Sequence, residues 1–150
     1  MPDPLPTALV IVDHGSRRSA SNTMHEEFVA TFAAESEAYV AVAAAHMELA
    51  APSVADAITS VVAAGARRVL VMPYFLFPGN HWERDIPALV ADAAPRHPGV
   101  EFCVTAPVGL HPLMRDVVRE RVEQCARHAD GTVGDCALCA GTDRCTWTVA

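Results

Sequence analysis

Ala8-Leu9-Val10-Ile11-Val12, followed at once by Asp13-His14-Gly15-Ser16, decides how the chain is read. Five apolar residues with β-branched members and no polar alternation read as a strand buried on both faces, as in parallel sheets, and the polar, Gly-containing tetrapeptide reads as the turn that ends it. Outward from there, Ser19 to Ala38 sets Met24, Phe28 and Phe32 four residues apart among Glu26, Glu27, Glu35 and Glu37, the pattern of an amphipathic helix. Tyr39 to Ala45 is a second apolar strand. Pro52 suits a helix start, where its missing N–H costs nothing, and Val54, Ile58, Val61 and Val62 carry the stripe to Gly65. Arg68 to Met72 is the third strand and delivers the chain into Pro73 to Pro87. A third helix runs from Asp85 to Ala94, and Glu101 to Ala106 is the fourth strand, with Cys103 in the core. His111 to His128 is the fourth helix, with Leu113, Met114, Val117, Val118, Val122 and Cys125 on one face.

Strand and helix thus alternate four times. That predicts an α/β fold: a four-stranded parallel sheet with helices on both faces and right-handed crossovers. Residues 1–130 form this domain, and residues 131–150 form a Gly- and Cys-rich tail too poor in apolar side chains for a core of its own.

Composition narrows the chemistry. Among 150 residues, 11 cations against 18 anions give a net charge of −7, and all the cations are Arg. Without Lys there is no Schiff base, no pyridoxal phosphate anchor and no P-loop lysine. The acidic balance and the 6% aromatic content exclude general nucleic-acid binding and an anionic membrane surface. No apolar run reaches a bilayer's thickness and the N-terminus has no cationic leader, so a cytosolic protein is expected. In such a reducing compartment, Cys136, Cys139 and Cys145 within ten residues read as metal ligands rather than disulfide partners.

Ligands of doubly wound sheets bind beyond the carboxyl ends of the strands. Four of the seven histidines follow four different strands: His14, His46, His81 and His111, with Glu48 close behind the second. Imidazole and carboxylate suit Fe, Co, Ni and Zn, and imidazole accepts protons near neutral pH. Adjacent Asp13-His14-Gly15-Ser16 cannot form a hydrolytic triad, and Gly15 stands without a G-x-G-x-x-G. What remains is a metal-handling pocket with a greasy wall. Tyr74, Phe75, Leu76, Phe77 and Trp82 flank His81, as a large planar substrate requires; packing against a second subunit would use the same residues.

Val12-Asp13-His14-Gly15-Ser16-Arg17, Met47-Glu48-Leu49-Ala50-Ala51-Pro52-Ser53 and, above all, Pro73-Tyr74-Phe75-Leu76-Phe77-Pro78-Gly79-Asn80-His81 with Asp85-Ile86-Pro87 resemble the short CbiX/SirB chelatases from about residue 7 to residue 128. The resemblance implies a fold like half of a two-lobed ferrochelatase, homodimers, and insertion of a divalent metal into sirohydrochlorin or a close relative. It makes His14 and His81 the catalytic histidines and metal ligands, with Glu48 and His111 in support. Insertion needs two pyrrole protons removed and a partly dehydrated cation presented to the ring, so one imidazole holds the metal while another base takes protons, in an order the sequence leaves open. The substrate is a polycarboxylate. Arg17 and Arg84 beside the strand-end loops are the expected clamps, since Arg grips carboxylates bidentately.

The tail offers three thiolates, and tetrahedral zinc or a two-iron cluster needs a fourth ligand. Cys125 is one choice, although its place on the apolar stripe fits a buried thiol equally. The run Cys136-Ala137-Leu138-Cys139-Ala140-Gly141-Thr142-Asp143-Arg144-Cys145 resembles the C-terminus of plant-type sirohydrochlorin ferrochelatases, which implies a [2Fe–2S] cluster and favours Fe2+ over Co2+ or Ni2+ as the metal inserted. A metal- or tetrapyrrole-binding carrier without turnover is the alternative from another class.

Overall fold

The computed structural model describes residues 4–149. The chain divides into two compact units, Met1–Gly109 and Leu110–Ala150. The division falls before the boundary expected at 130/131 and groups the last helix with the Cys-rich tail.

The first unit holds the sheet. Strands β1 (Thr7–Asp13), β2 (Val42–His46), β3 (Arg68–Pro73) and β4 (Glu101–Val104) are all parallel in the order β2-β1-β3-β4. Helix α1 (Ser19–Ala34) lies on one face, where Val29 packs with Leu9 and Ile11. Helices α2 (Val54–Ala63) and α3 (Ile86–Ala93) cover the other, and Ile58, Val61, Ile86 and Val90 close over Ala8, Val10, Val12, Val69 and Val71 in the main core. The strand residues of β1 alternate between these two clusters, which is why the quoted pentapeptide is apolar throughout. From β1 the chain crosses to β2 on one side and then returns to β3 on the other. The switch point, where two connections leave in opposite directions and open a crevice, therefore lies beyond the carboxyl ends of β1 and β3.

Several boundaries differ from expectation, each for a local reason. Helix α1 stops at Ala34 because the Glu35 N–H is shared between the carbonyls of Thr31 and Phe32, a tightening that ends the helix. Pro52 does not open α2. Ser53 is its N-cap, accepting from the Asp56 N–H at 3.1 Å while Asp56 accepts from the Ser53 N–H at 3.0 Å, a complete capping box. The third helix begins as a π-type turn at His81–Asp85 before α3 proper. Cys103 is exposed and not in the core: β4 is an edge strand, and pleat alternation turns Phe102 and Val104 toward the α2–α3 layer and Cys103 to the opposite face.

The second unit comprises α4 (Leu113–Ala129) and the segment after it. No residue of α4 is buried, and Leu113, Val117, Val118 and Val122 of its apolar stripe are more than half exposed. The tail folds onto the end of α4 within this unit. Thr132 bonds the Arg127 carbonyl through both its N–H and its hydroxyl, and the Trp147 indole donates to Asp130 at 2.9 Å. No helix among the described residues is long and apolar enough to cross a membrane.

Candidate metal centre

The turn after β1 is built around Gly15. Its φ is +84°, and a Cβ there would lie 1.9 Å from the Glu48 carbonyl oxygen, so no side chain fits. This close approach lets the β1 and β2 extensions run on together, with Met47 N–H donating to Asp13 and Glu48 N–H to His14 through main-chain carbonyls. Asn22 of α1 fixes the far side, accepting from the Ser16 N–H and donating to the Ser16 carbonyl. His14 and Glu48 therefore leave neighbouring strands side by side.

Their chemistry is complementary. The Nδ1 of His14 donates to the Gly15 carbonyl at 3.1 Å, and Nε2 faces the Glu48 carboxylate at 2.9 Å. With Nδ1 committed as donor, the neutral ring carries its lone pair on Nε2, beside a carboxylate oxygen. A nitrogen and an oxygen so placed share a proton or a divalent cation.

His81 arrives from the other side of the switch point. The π-type turn gives it a partner at i+4: Nδ1 donates to Asp85 at 2.9 Å. The Arg84 guanidinium, at 2.9 Å, and the His81 ring hold the Asp85 carboxyl below the ordinary carboxylate range, so the base behind His81 is anionic. Trp82 pins the turn, its indole donating to the Thr105 carbonyl at the end of β4. The result is a pair of imidazoles with ring centroids 5.1 Å apart, His14 backed by Glu48 and His81 by Asp85.

The aromatic segment splits. Phe75 packs on the main core, with its ring 5.8 Å from His81. Tyr74, the next residue along the pleat, turns to the α1 face and stacks on Phe28 and His25 at 5.1 and 6.0 Å, away from the wall expected beside His81. Phe77 is exposed to 68%, Arg17 is exposed, and Arg84 is held by Asp85. His111 belongs to the second unit, where its Nδ1 accepts the Leu113 N–H.

Three residues of this centre escape sequence reasoning. Asp85 could have been found from its i+4 spacing to His81, had the loop been read as a helical turn. Asp13 and Glu26 could not, because what matters is their register. Asp13 lies opposite His46 across the β1–β2 pair, and His46 is fully buried with Asp13 on Nδ1 at 2.6 Å and Glu26 on Nε2 at 3.2 Å.

In the second unit, Cys136 and Cys139 bring their sulfurs to 3.5 Å. Cys125 and Cys145 line one cavity of about 300 Å³ with Val122, Ala126, Ala129 and Trp147. The Leu138 N–H holds the Cys136 thiol below its ordinary range, whereas the Cys125 thiol pushes Cys145 up to about 11. Cys136 and Cys139 are thus in contact, and Cys125 and Cys145 face one cavity. His128 and Asp135 adjoin Cys139, with His128 Nε2 at 3.3 Å from the Asp135 carboxylate.

Comparison with known proteins places this geometry. A family model described as CbiX matches residues 8–125. The sirohydrochlorin ferrochelatase, chloroplastic, of Arabidopsis thaliana is 52% identical over 137 residues, 91% of this chain and 60% of that protein. The sirohydrochlorin cobaltochelatase of Priestia megaterium is 29% identical over 131 residues, 87% of this chain and 42% of that one. Among solved structures, the sirohydrochlorin chelatase SirB from Bacillus subtilis subspecies spizizenii in complex with cobalt matches with a TM-score of 0.75 at 25% identity, covering 81% of this chain and 52% of that one. The chain spans about half the length of the curated relatives it matches.

Proposed function

Because the chain belongs to the CbiX family, we propose that it is a sirohydrochlorin chelatase, inserting Fe2+ into sirohydrochlorin to give siroheme with release of two protons. The observation that carries this is the imidazole pair at the switch point, each ring with a carboxylate on one nitrogen. His14 Nε2 and Glu48 hold the incoming cation. His81 takes the pyrrole protons one at a time, passing each to solvent before accepting the next: Asp85 fixes its Nδ1 as the donor, leaves the Nε2 lone pair free, and stabilises the imidazolium that forms. The two rings share the cation as it passes to the macrocycle, so both count as ligands. Phe75 and Phe77 offer apolar surface for the ring. Arg17 and Arg84 meet its carboxylates. The 52% identity to a protein named ferrochelatase supports iron over cobalt and nickel.

The working unit in this reading is a homodimer. Its support is the exposed stripe Leu113, Val117, Val118 and Val122, together with the match of this chain to half of a longer chelatase. The tail is a [2Fe–2S] site. Cys136 and Cys139, in contact, and Cys125 and Cys145, on one cavity, would together hold the cluster. When bound, such a cluster supplies one-electron redox chemistry, which insertion of a divalent ion does not require. Unbridged thiols persist in a reducing, cytosol-like compartment.

The test is anaerobic mixing of the protein with sirohydrochlorin and Fe2+, Co2+ or Ni2+ in turn, following the metallation spectrum. We expect acceleration with Fe2+, and a loss of about 100-fold or more in His81→Ala, the scale of a missing general base. Binding of ring and metal without acceleration by any of the three would make the protein a carrier instead.

A further inference from the structure

His46 ends a strand whose other residues are Val and Ala, and its side chain is wholly buried. An imidazole in that position costs desolvation that an apolar residue would avoid, unless both ring nitrogens are paired. Both are. Nδ1 lies 2.6 Å from Asp13 Oδ1, and Nε2 lies 3.2 Å from Glu26 Oε1. The same Asp13 oxygen accepts the Gly15 N–H at 3.0 Å. Asp13 is thus shared between a buried ring and the Gly15 peptide, which adopts a left-handed conformation against the Glu48 carbonyl. The second buried histidine, His25, faces the other Asp13 oxygen at 3.9 Å and is itself committed to the Ile11 carbonyl at 3.0 Å.

We propose that His46 is a positioning residue that sets the separation of His14 and Glu48. The inference rests on the reading that those two side chains hold the cation. The reasoning is geometric. His14 and Glu48 each follow directly from a residue tied to His46: Asp13, which precedes His14, through the ring, and Met47, which precedes Glu48, through the chain. The Met47 N–H to Asp13 carbonyl bond at 2.8 Å closes the frame. Anchoring to Glu26 stops the ring from turning and ties the end of β2 to α1. A carboxylate held by a single peptide N–H could rotate about its own bonds, whereas one held by a second donor on a buried ring cannot, and the Gly15 turn is fixed with it. His46 touches neither cation nor ring and acts only through Asp13.

The experiment is a Co2+ titration of the full chain by absorbance. Cobalt at the tail thiols is recognised by sulfur-to-cobalt charge-transfer bands, and cobalt at the strand-end centre by its absorption without them. His46→Ala should raise the Kd of the strand-end centre about tenfold, the usual cost of losing an outer partner of a metal ligand. His46→Asn should recover most of that loss, because its amide nitrogen can occupy the place of Nδ1 and donate to Asp13. In the insertion assay, the KM for metal should rise while the KM for sirohydrochlorin stays put. A folded His46→Ala protein with the wild-type Kd would overturn the proposal, as would His46→Asn binding as weakly as the Ala variant, which would mark a packing role. If the Ala variant does not fold, the Asn variant and Glu26→Gln, which loosens the ring from its far side, carry the same test. Should His14→Ala and Glu48→Gln leave Co2+ binding unchanged, the metal-centre reading falls and takes this inference with it. If those two weaken binding while His46→Ala and His46→Asn do not, only the inference falls.

Discussion

At the strand ends both histidines have a partner in the scaffold: His14 has the Gly15 carbonyl, His81 has Asp85, and beneath them Asp13 is gripped by His46 and Gly15. In the tail the thiols have chiefly one another and nearby peptide groups. The difference follows from where each cluster sits. The first is cantilevered from parallel strands whose core is closed on both faces, so its geometry is a by-product of folding. The second lies in a unit where Cys139 is the only described residue classed as buried and hydrophobic. There is too little apolar burial in such a segment to offset the entropy of ordering it. A strand-end centre should therefore survive loss of its metal, and the tail should depend on what it binds.

The contrast is broken most severely at Gly15. Gly15→Ala forces a methyl group to 1.9 Å from the Glu48 carbonyl at a positive φ. One extension must move, and the strain should cost about 2–3 kcal/mol of stability. Insertion activity should fall about 100-fold or more, since a displacement of an ångström at a reacting centre has that effect. Thermal unfolding and the metallation assay read the two consequences separately. Wild-type activity in this variant would show that the His14–Glu48 approach is not needed.

How far the sequence carries the reader depends on which kind of determinant is at work. Uninterrupted apolar runs announced the four parallel strands, and the histidines after them pointed to the strand ends, where His14 and His81 meet. The pairing of His14 with His81 needed the strand order, since only a β2-β1-β3-β4 sheet places the ends of β1 and β3 together. Tyr74 and Phe75 looked like one aromatic wall, and the pleat sends them to opposite faces. Cys103 looked like core because its strand was assumed to be covered on both sides, whereas β4 is an edge. His46 read as one more strand-end histidine, since nothing in its neighbours' identities reveals a carboxylate opposite it in register and another on α1. Composition and periodicity register what is buried; they do not register which strand is an edge or which residues face each other across a ladder.

A milder way to sharpen the comparison is Val118→Glu, on the exposed stripe of α4. In a monomer a charge on an exposed face is nearly neutral, whereas in a dimer it meets apolar surface and must be desolvated. Sedimentation should show wild type at twice the chain mass and the variant at the chain mass, with thermal stability reduced only as far as dissociation requires. Equal sedimentation of the two proteins at the dimer mass would move the interface off this helix, and a monomeric wild type would remove it.

The smallest effect on catalysis is expected from Cys139→Ser, although the tail itself should change completely. Cys139 is the buried thiol and lies 3.5 Å from the Cys136 sulfur, so its loss removes one proposed ligand and the contact that orders another. Serine keeps nearly the same volume, which separates loss of a ligand from loss of packing. Anaerobically purified wild type should show visible absorbance and contain acid-labile sulfide, and the variant should lose both. Insertion kinetics should stay at the wild-type level, because moving a divalent ion into a macrocycle transfers no net electrons and the strand-end centre does not draw its geometry from the thiols. A variant that loses cluster and turnover together would show that the two halves of the comparison are coupled. Zinc without sulfide in the wild type would give the tail a tetrahedral metal in place of a cluster.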